Sequence, residues 1–309
     1  MDYEENLMVK AAYYYYFEDM TQQDIARLMG IGRIRVIKLL EKARQTGVIQ
    51  FKLRKNAEFN IQAEQALIKK YNLSDVYIVP TPASPDEVNT SIAKAAAIYI
   101  CDRLSENAFI NMGYGDTSKR LLNNLATMTE TPISCVSLTG GVSYYLPDTR
   151  SNVFNANLHL IPAPLLASSV EMAQAIRNEA SVSEIFRMVQ LASVTVVGIG
   201  AMHEKSTIFS TGTLNRNYLN ILKMKGAVGD VLSHFIDKDG NLIPNALEDR
   251  LIGLSLDKLR ELNNVIGVAA GISKVDAIRA VLRGNYLDVL ITDSSVAEKL
   301  LEDSQNSEA

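Results

Sequence analysis

The cations of this 309-residue chain are unevenly spread. Arg27, Arg33, Arg35, Lys38, Lys42, Arg44, Lys52, Arg54 and Lys55 stand between residues 24 and 55 against only Asp24 and Glu41, a balance of +7. Residues 56–309 carry 21 basic and 28 acidic side chains, a balance of −7, in a chain whose net charge is −4. A basic segment on an acidic body is the footprint of local phosphate contact rather than of general polyanion affinity.

Spacing sharpens that reading. Within Thr21–Gln50, Ile25, Ala26, Leu28 and Met29 make a short apolar helix that stops at Gly30. A second helix opens at Arg33, with Val36, Leu39, Leu40 and Ala43 on its inner side and Arg33, Lys38, Lys42 and Arg44 on its outer side. Thr21, with Asp24 three residues on, is a capping-box-like start. Two helices joined by a short glycine turn form a helix-turn-helix, which lays its second helix in a DNA groove. An ordinary helical hairpin with a solvated basic face has the same pattern; the charge asymmetry favours DNA. Gln22, Arg33, Arg35 and Lys38 are the candidate operator contacts, with Arg33 and Arg35 placed as base readers near the start of the helix. Tyr15, in the run Tyr13–Tyr16, is a candidate to reach a phosphate by its hydroxyl, although most of those rings are expected in a core.

Four later turns offer different chemistry. Gly113-Tyr-Gly115-Asp-Thr117-Ser118 follows an apolar run and enters a helix carrying Leu121, Leu122 and Leu125. Ser137-Leu-Thr139-Gly140-Gly141, Gly198-Ile-Gly200-Ala201 and Gly271-Ile-Ser-Lys274 also follow strand-like runs. Glycine lets the backbone turn tightly and present amides, and a helix N-terminus favours an anion. Together these turns predict a pocket for a small phosphorylated molecule, contacted by Gly113, Gly115, Thr117, Ser118, Thr139, Gly140 and Gly141, with Lys274 at the mouth of the sheet. Taken singly, each is equally a plain strand-to-helix turn, and Lys274 equally a solvated first-turn lysine.

The elements that must hold these groups follow from periodicity. Residues 4–17 read as a helix, with Leu7, Met8, Ala11, Ala12, Tyr15 and Tyr16 at helical spacing. Residues 48–53 alternate as a short strand or wing, and 58–71 read as a linking helix. From residue 75 the pattern becomes strands alternating with helices: Val76–Val79, Phe109–Met112, Ile133–Leu138, Val194–Ile199, Val265–Ala269 and Leu287–Ile291, with a helix at 86–104. Continuous β-branched runs between helices indicate a parallel sheet covered on both faces, an α/β fold. The expected domains are a helix-turn-helix, winged-helix-like domain at 1–55, a linker helix at 56–75 and a larger Rossmann-like domain at 76–309. The tail 302–309 is polar and expected to fray.

Composition excludes other classes. The chain is 47% hydrophobic and 21% charged, ordinary globular material. No apolar stretch is long enough to span a bilayer, and Asp2, Glu4 and Glu5 stand where a signal peptide needs positive charge. Cys101 and Cys135, far apart in apolar surroundings, suit reduced core thiols. His159, His203 and His234 have no metal-ligand spacing. The expectation is a cytoplasmic protein with no membrane partner, no cofactor and no bound metal.

A resemblance covers most of the chain. Leu138-Thr-Gly-Gly-Val142, Leu160-Ile-Pro-Ala-Pro-Leu-Leu-Ala-Ser-Ser169, Val196-Val-Gly-Ile-Gly-Ala201 and Lys225-Gly-Ala-Val-Gly-Asp-Val-Leu232 stand in order. Leu251-Ile-Gly-Leu-Ser-Leu256 and Tyr286-Leu-Asp-Val-Leu-Ile-Thr-Asp293 complete the series. With these the chain resembles the SorC/DeoR family of bacterial transcriptional regulators. The resemblance implies an effector domain similar to ribose-phosphate isomerase and glucosamine-phosphate deaminase, a tetramer, and release of operator DNA on effector binding. It implies that Asp230 bonds effector hydroxyls, that Leu232 and Lys274 line the pocket, and that the turns at Gly113–Ser118 and Thr139–Gly141 hold the phosphate. A carboxylate accepting hydroxyl protons beside amides and a lysine on phosphate is chemically coherent. Two positions depart from the family pattern: Gly32 caps the second helix less well than Ser or Thr, and Ile37 cannot hydrogen-bond a phosphate, so no operator sequence carries over.

The leading expectation is a repressor of a carbohydrate or autoinducer-2 operon, gated by a phosphorylated sugar or autoinducer-2 phosphate and not an enzyme. The alternative is a sugar-phosphate isomerase or deaminase with an appended DNA-binding domain, in which Lys274 would form a Schiff base. Against it stands the lack of a general-base pair in the glycine turns.

Overall fold

The computed structural model describes residues 3–49, 55–105, 108–145 and 155–302. The chain divides into two compact units, 1–58 and 59–309. The expected wing at 48–53 falls largely, and the tail at 302–309 almost wholly, outside the described residues.

Three helices build the first unit: α1 (Tyr3–Tyr16), α2 (Gln22–Met29) and α3 (Arg33–Gln45). Their core is Met8, Ala11 and Ala12 from α1, Ile25 and Ala26 from α2, and Val36, Leu39, Leu40 and Ala43 from α3. Thr21 caps α2: its Oγ1 accepts from the Asp24 amide at 3.2 Å and donates to Asp24 Oδ2 at 2.6 Å. Gly30 ends α2 in the left-handed region, φ 66°, which lets the chain reverse into α3 within two residues. At the start of α3, Gly32 supplies no side-chain cap.

In the second unit, helices alternate with a parallel sheet. In chain order the elements are α4 (Lys55–Tyr71), β1 (Asp75–Val79), α5 (Val88–Cys101), β2 (Phe109–Met112), α6 (Asp116–Met128), β3 (Ile133–Ser137) and β4 (Ala156–His159). There follow α7 (Val170–Asn178), α8 (Ala180–Met188), β5 (Val194–Ala201), α9 (Thr207–Ser210), α10 (Arg216–Met224), β6 (Gly229–Val231) and β7 (His234–Ile236). The chain closes with α11 (Leu256–Arg260), β8 (Val265–Val268), α12 (Val275–Arg283), β9 (Val289–Asp293) and α13 (Ser294–Glu302).

The strand order is β1-β9-β8-β5-β2-β3-β4, parallel at every pairing. β5 shows why the sheet is central. Val194 and Val196 face a core shared with α5 and α6, while Val197 and Ile199 face one shared with α4, α12 and α13. A strand buried on both faces needs apolar side chains at consecutive positions, which a β-branched run provides. Beyond the sheet β5 continues to Ala201 and pairs antiparallel with β6, which turns back through β7. All six expected strands are present; β4, β6 and β7 were not expected. No helix among the described residues is long and apolar enough to cross a membrane.

Candidate functional site

The sheet order reverses between β5 and β2: the chain proceeds from β2 outward to β3 and β4, and from β5 the other way to β8. Open α/β sheets take ligands beyond the strand ends at such a point. A cavity of about 600 Å3 lies there, of a size that encloses a small metabolite. Its walls are the turns after β2, β5 and β8, with Thr81, Asn89, Asp230 and Leu232.

One wall is the start of α6. Gly115, at φ 127°, swings the chain into the helix, and the first-turn amides have no acceptor within it. Ser118 Oγ, in the first turn of the helix, is buried without a hydrogen-bond partner among the described residues. A buried hydroxyl left unpaired costs roughly 1–3 kcal/mol, which an incoming acceptor recovers. Asp116 lines the cavity as well, and its charge is partly answered there: Oδ2 accepts from Asn89 Nδ2 and Arg120 Nε, both at 2.9 Å.

A second part of the lining is ionisable. Asp230, 6% exposed, lies directly across from Gly200 in the β5–β6 pair, and its Oδ2 accepts from the Ser233 amide at 3.2 Å. Burial pushes its carboxyl up to about 6, against the opposing pull of that amide, Lys274 and His234. Lys274 is half-buried at the start of α12, and desolvation holds its amine below the usual range despite the attraction of Asp230 and Asp116. The Lys274 turn is braced from below, where buried Asp293 accepts from the Gly271 amide at 2.8 Å. His234 is also buried, its Nδ1 2.5 Å from Glu248 Oε1 and its Nε2 2.9 Å from the Leu254 carbonyl oxygen.

The β6–β7 turn has positive φ at both central residues, Leu232 at 54° and Ser233 at 69°. That is the two-residue hairpin geometry usually given to Asn and Gly, and a leucine there is strained. It is held because Leu232 is buried against Gly113, where a Cβ would stand 2.9 Å from Leu232 Cδ2.

In the first unit, Tyr15, Gln22 and Arg33 line one open cleft with Tyr16, Asp19, Met20, Thr21 and Gln23. Arg33, Arg35 and Lys38 are exposed on α3 and form no ion pair among the described residues. Their neighbours differ: Arg27 pairs with Asp24 and Lys42 with Glu4, each at 3.3 Å.

Residues 55–302 match the Sugar-bind family, described as a sugar-binding domain. The chain is 32% identical over 302 residues to the transcriptional regulator LsrR of Klebsiella pneumoniae, covering 96% of this chain and 93% of that one. LsrR of Escherichia coli K12 matches at 32%, over 96% and 95% of the two chains. The chain belongs to the SorC family of sugar-binding transcriptional regulators. The full-length sorbitol operon regulator SorC from Klebsiella pneumoniae shares its architecture, with a TM-score of 0.68 at 26% identity over 97% of this chain and all of that one.

In this SorC-family chain the cavity brings together Gly115, Thr117, Ser118, Asp230, Leu232 and Lys274. Thr139, Gly140 and Gly141 do not line it. Their turn packs against another strand-to-helix connection: Gly140 N donates to the Ile252 carbonyl at 2.9 Å, Gly141 N to the Ala163 carbonyl at 2.8 Å, and Thr139 Oγ1 bonds Tyr145 OH at 2.8 Å. Nor does Gly113 line it; its missing side chain is the space Leu232 fills. Thr81, Asn89, His203, Lys205 and Thr207 do line it and were not expected. Three of these follow directly on the Gly198–Ala201 turn, so reading that turn a few residues further would have found them.

Proposed function

We propose that this chain is a DNA-binding repressor of a carbohydrate or autoinducer-2 uptake operon, released from its operator when a phosphorylated sugar-like effector enters the cavity. On this reading residues 1–55 are a helix-turn-helix domain, 56–75 a linking helix, and 76–309 the effector-binding and oligomerising domain of a tetramer, similar in fold to ribose-phosphate isomerase. Tyr15, Gln22, Arg33, Arg35 and Lys38 contact DNA. Autoinducer-2 phosphate and five- or six-carbon sugar phosphates are the effectors to test first.

The observation that carries this reading is the set of polar groups gathered in the cavity lining. A buried hydroxyl with no partner among the described residues, at a helix N-terminus, suits a phosphate. A buried carboxylate that interacts with a lysine suits hydroxyl groups. Effector and DNA are then coupled through two states that differ in affinity for each. The site reads as one for binding rather than turnover, as the relatives named transcriptional regulators also suggest.

Thermal-shift screening of the purified chain against sugar phosphates and autoinducer-2 phosphate identifies the effector, since a ligand of the native state raises the melting temperature by mass action. The same compound should release the chain from operator DNA in a gel shift. The Asp230→Ala/Lys274→Ala double variant should bind DNA as before and no longer be released. Normal release in that variant would sink the assignment of the cavity, and turnover of a phosphosugar would point instead to an isomerase.

A further inference from the structure

Two large apolar side chains stand in the open among the cations of α3. Ile34 is 72% exposed and Ile37 is 39% exposed. The buried face of this helix is Val36, Leu39, Leu40 and Ala43. At about 100° per residue, Ile34 points directly away from the middle of that face. Lys38 lies one turn further along the same outward line, Ile37 beside it, and exposed Arg33 and Arg35 flank Ile34 in sequence. Neither isoleucine serves the fold in this position, since β-branched residues are poorer helix formers than Leu, Lys or Glu. One exposed aliphatic needs no explanation. Two of them three residues apart on a basic helix, one at its outward centre and the other on the flank beside it, do.

We propose that Ile34 and Ile37 are specificity residues that pack on the 5-methyl groups of thymines in the major groove. The proposal rests on the DNA-binding reading above and adds what that reading leaves open, the chemistry of base selection at the start of α3. Charge decides the occupant: the free cations around the two side chains complement phosphate, whereas an apolar protein surface would have to desolvate them. Within the major groove, thymine is the base that presents a methyl group, and aliphatic side chains are its contacts. Glu41 lies on the same outward side about 10 Å beyond Ile34, and its carboxylate repels phosphates, so close contact falls on the first two turns. Arg33 and Arg35 then hold the backbone or a neighbouring guanine while the isoleucines report thymine.

The test selects bound duplexes from a random-sequence pool with the full-length chain. Gel-shift titrations at fixed salt then compare the selected duplex with copies in which deoxyuridine replaces thymine one position at a time. That exchange removes a methyl group and nothing else. Affinity should fall about fourfold at each contacted position, the value of one buried carbon. Ile34→Ala should lose the same factor on the thymine duplex and no longer distinguish uracil from thymine at its position, and Ile37→Ala likewise at its own. Both side chains are exposed and alanine is the better helix former, so these variants should fold, which circular dichroism checks. Equal binding of uracil and thymine throughout, or a thymine preference unchanged in both variants, would overturn the proposal while leaving DNA binding intact. Enrichment of no duplex would overturn the DNA-binding reading and this proposal with it. A changed oligomeric state of Ile34→Ala in sedimentation, at unchanged DNA affinity, would make the face a protein contact and also overturn it.

Discussion

The carboxylate of Asp230 fills the space that a side chain at residue 200 would need. The two residues are partners across the β5–β6 pair, and a Cβ on Gly200 would overlap Asp230 Oδ1 and stand 2.9 Å from Cγ. Gly200→Ala must therefore move the carboxylate away from β5. We expect a stability loss of about 1–3 kcal/mol, as for other overpacked sites, and a fall in effector affinity of about tenfold or more. DNA affinity should hold. Calorimetric titration with the effector, beside a gel shift without it, checks both, and an unchanged effector affinity would remove Asp230 from the contact surface.

A pH dependence follows from the same carboxylate. Burial raises Asp230 from 3.8 to about 6. With the folded value above the unfolded one, its stabilising contribution to the empty protein is full below the unfolded value and is lost as pH rises through about 6. The cost above that point is about 3 kcal/mol, at 1.36 kcal/mol per unit. The ionised form is the stronger acceptor of effector hydroxyls, so effector affinity should run the opposite way and weaken as pH falls through about 6. Titrations between about pH 7.5 and 5.5 should show a steeper decline in the native chain than in Asp230→Asn, which keeps only the part due to the effector phosphate, itself titrating at about 6. A flat profile in the native chain would contradict the role.

The parts of this architecture written in local pattern were legible in the residues. Val194–Ile199 announces a buried central strand because both its faces must be apolar, and Thr21, Gly30 and Val36–Ala43 mark helix ends and a core face. Asp230 was reachable only by resemblance. It sits on the three-residue strand β6, too short for any periodicity, and meets the cavity because β5 overruns the sheet. The four glycine turns looked alike for a related reason. Which strand neighbours which is set by long-range pairing, and that pairing places the end of β3 one strand beyond β2, so Thr139–Gly141 meets Ala163 and Pro164 rather than the cavity.

That turn is accordingly expected to matter for stability. A Cβ on Gly140 would overlap the Pro164 carbonyl oxygen and stand 2.9 Å from that of Ala163. Both obstacles are backbone and cannot rotate aside. Gly140→Ala should cost about 1–3 kcal/mol or more in chemical denaturation, while the folded fraction keeps its effector affinity. A weakened effector at unchanged stability would return the turn to the binding site.

For the proposed DNA contacts the native structure supplies its own control. Arg35 is exposed with no ion pair among the described residues, whereas Arg27, one helix earlier, pairs with Asp24 at 3.3 Å. If Arg35 reads a base edge, Arg35→Ala should cost roughly 1–3 kcal/mol on the selected duplex and relax base preference at one position. If it holds only a phosphate, affinity should fall uniformly across sequences and the slope of log affinity on log salt should shrink by about one. Arg27→Ala should do much less, because its charge is already partly compensated and exposed pairs of this kind contribute little to stability. Gel shifts of both variants on the selected and a scrambled duplex, across a salt series, separate these outcomes. Equal and small losses for both variants would mean that the free cations of α3 do not face DNA.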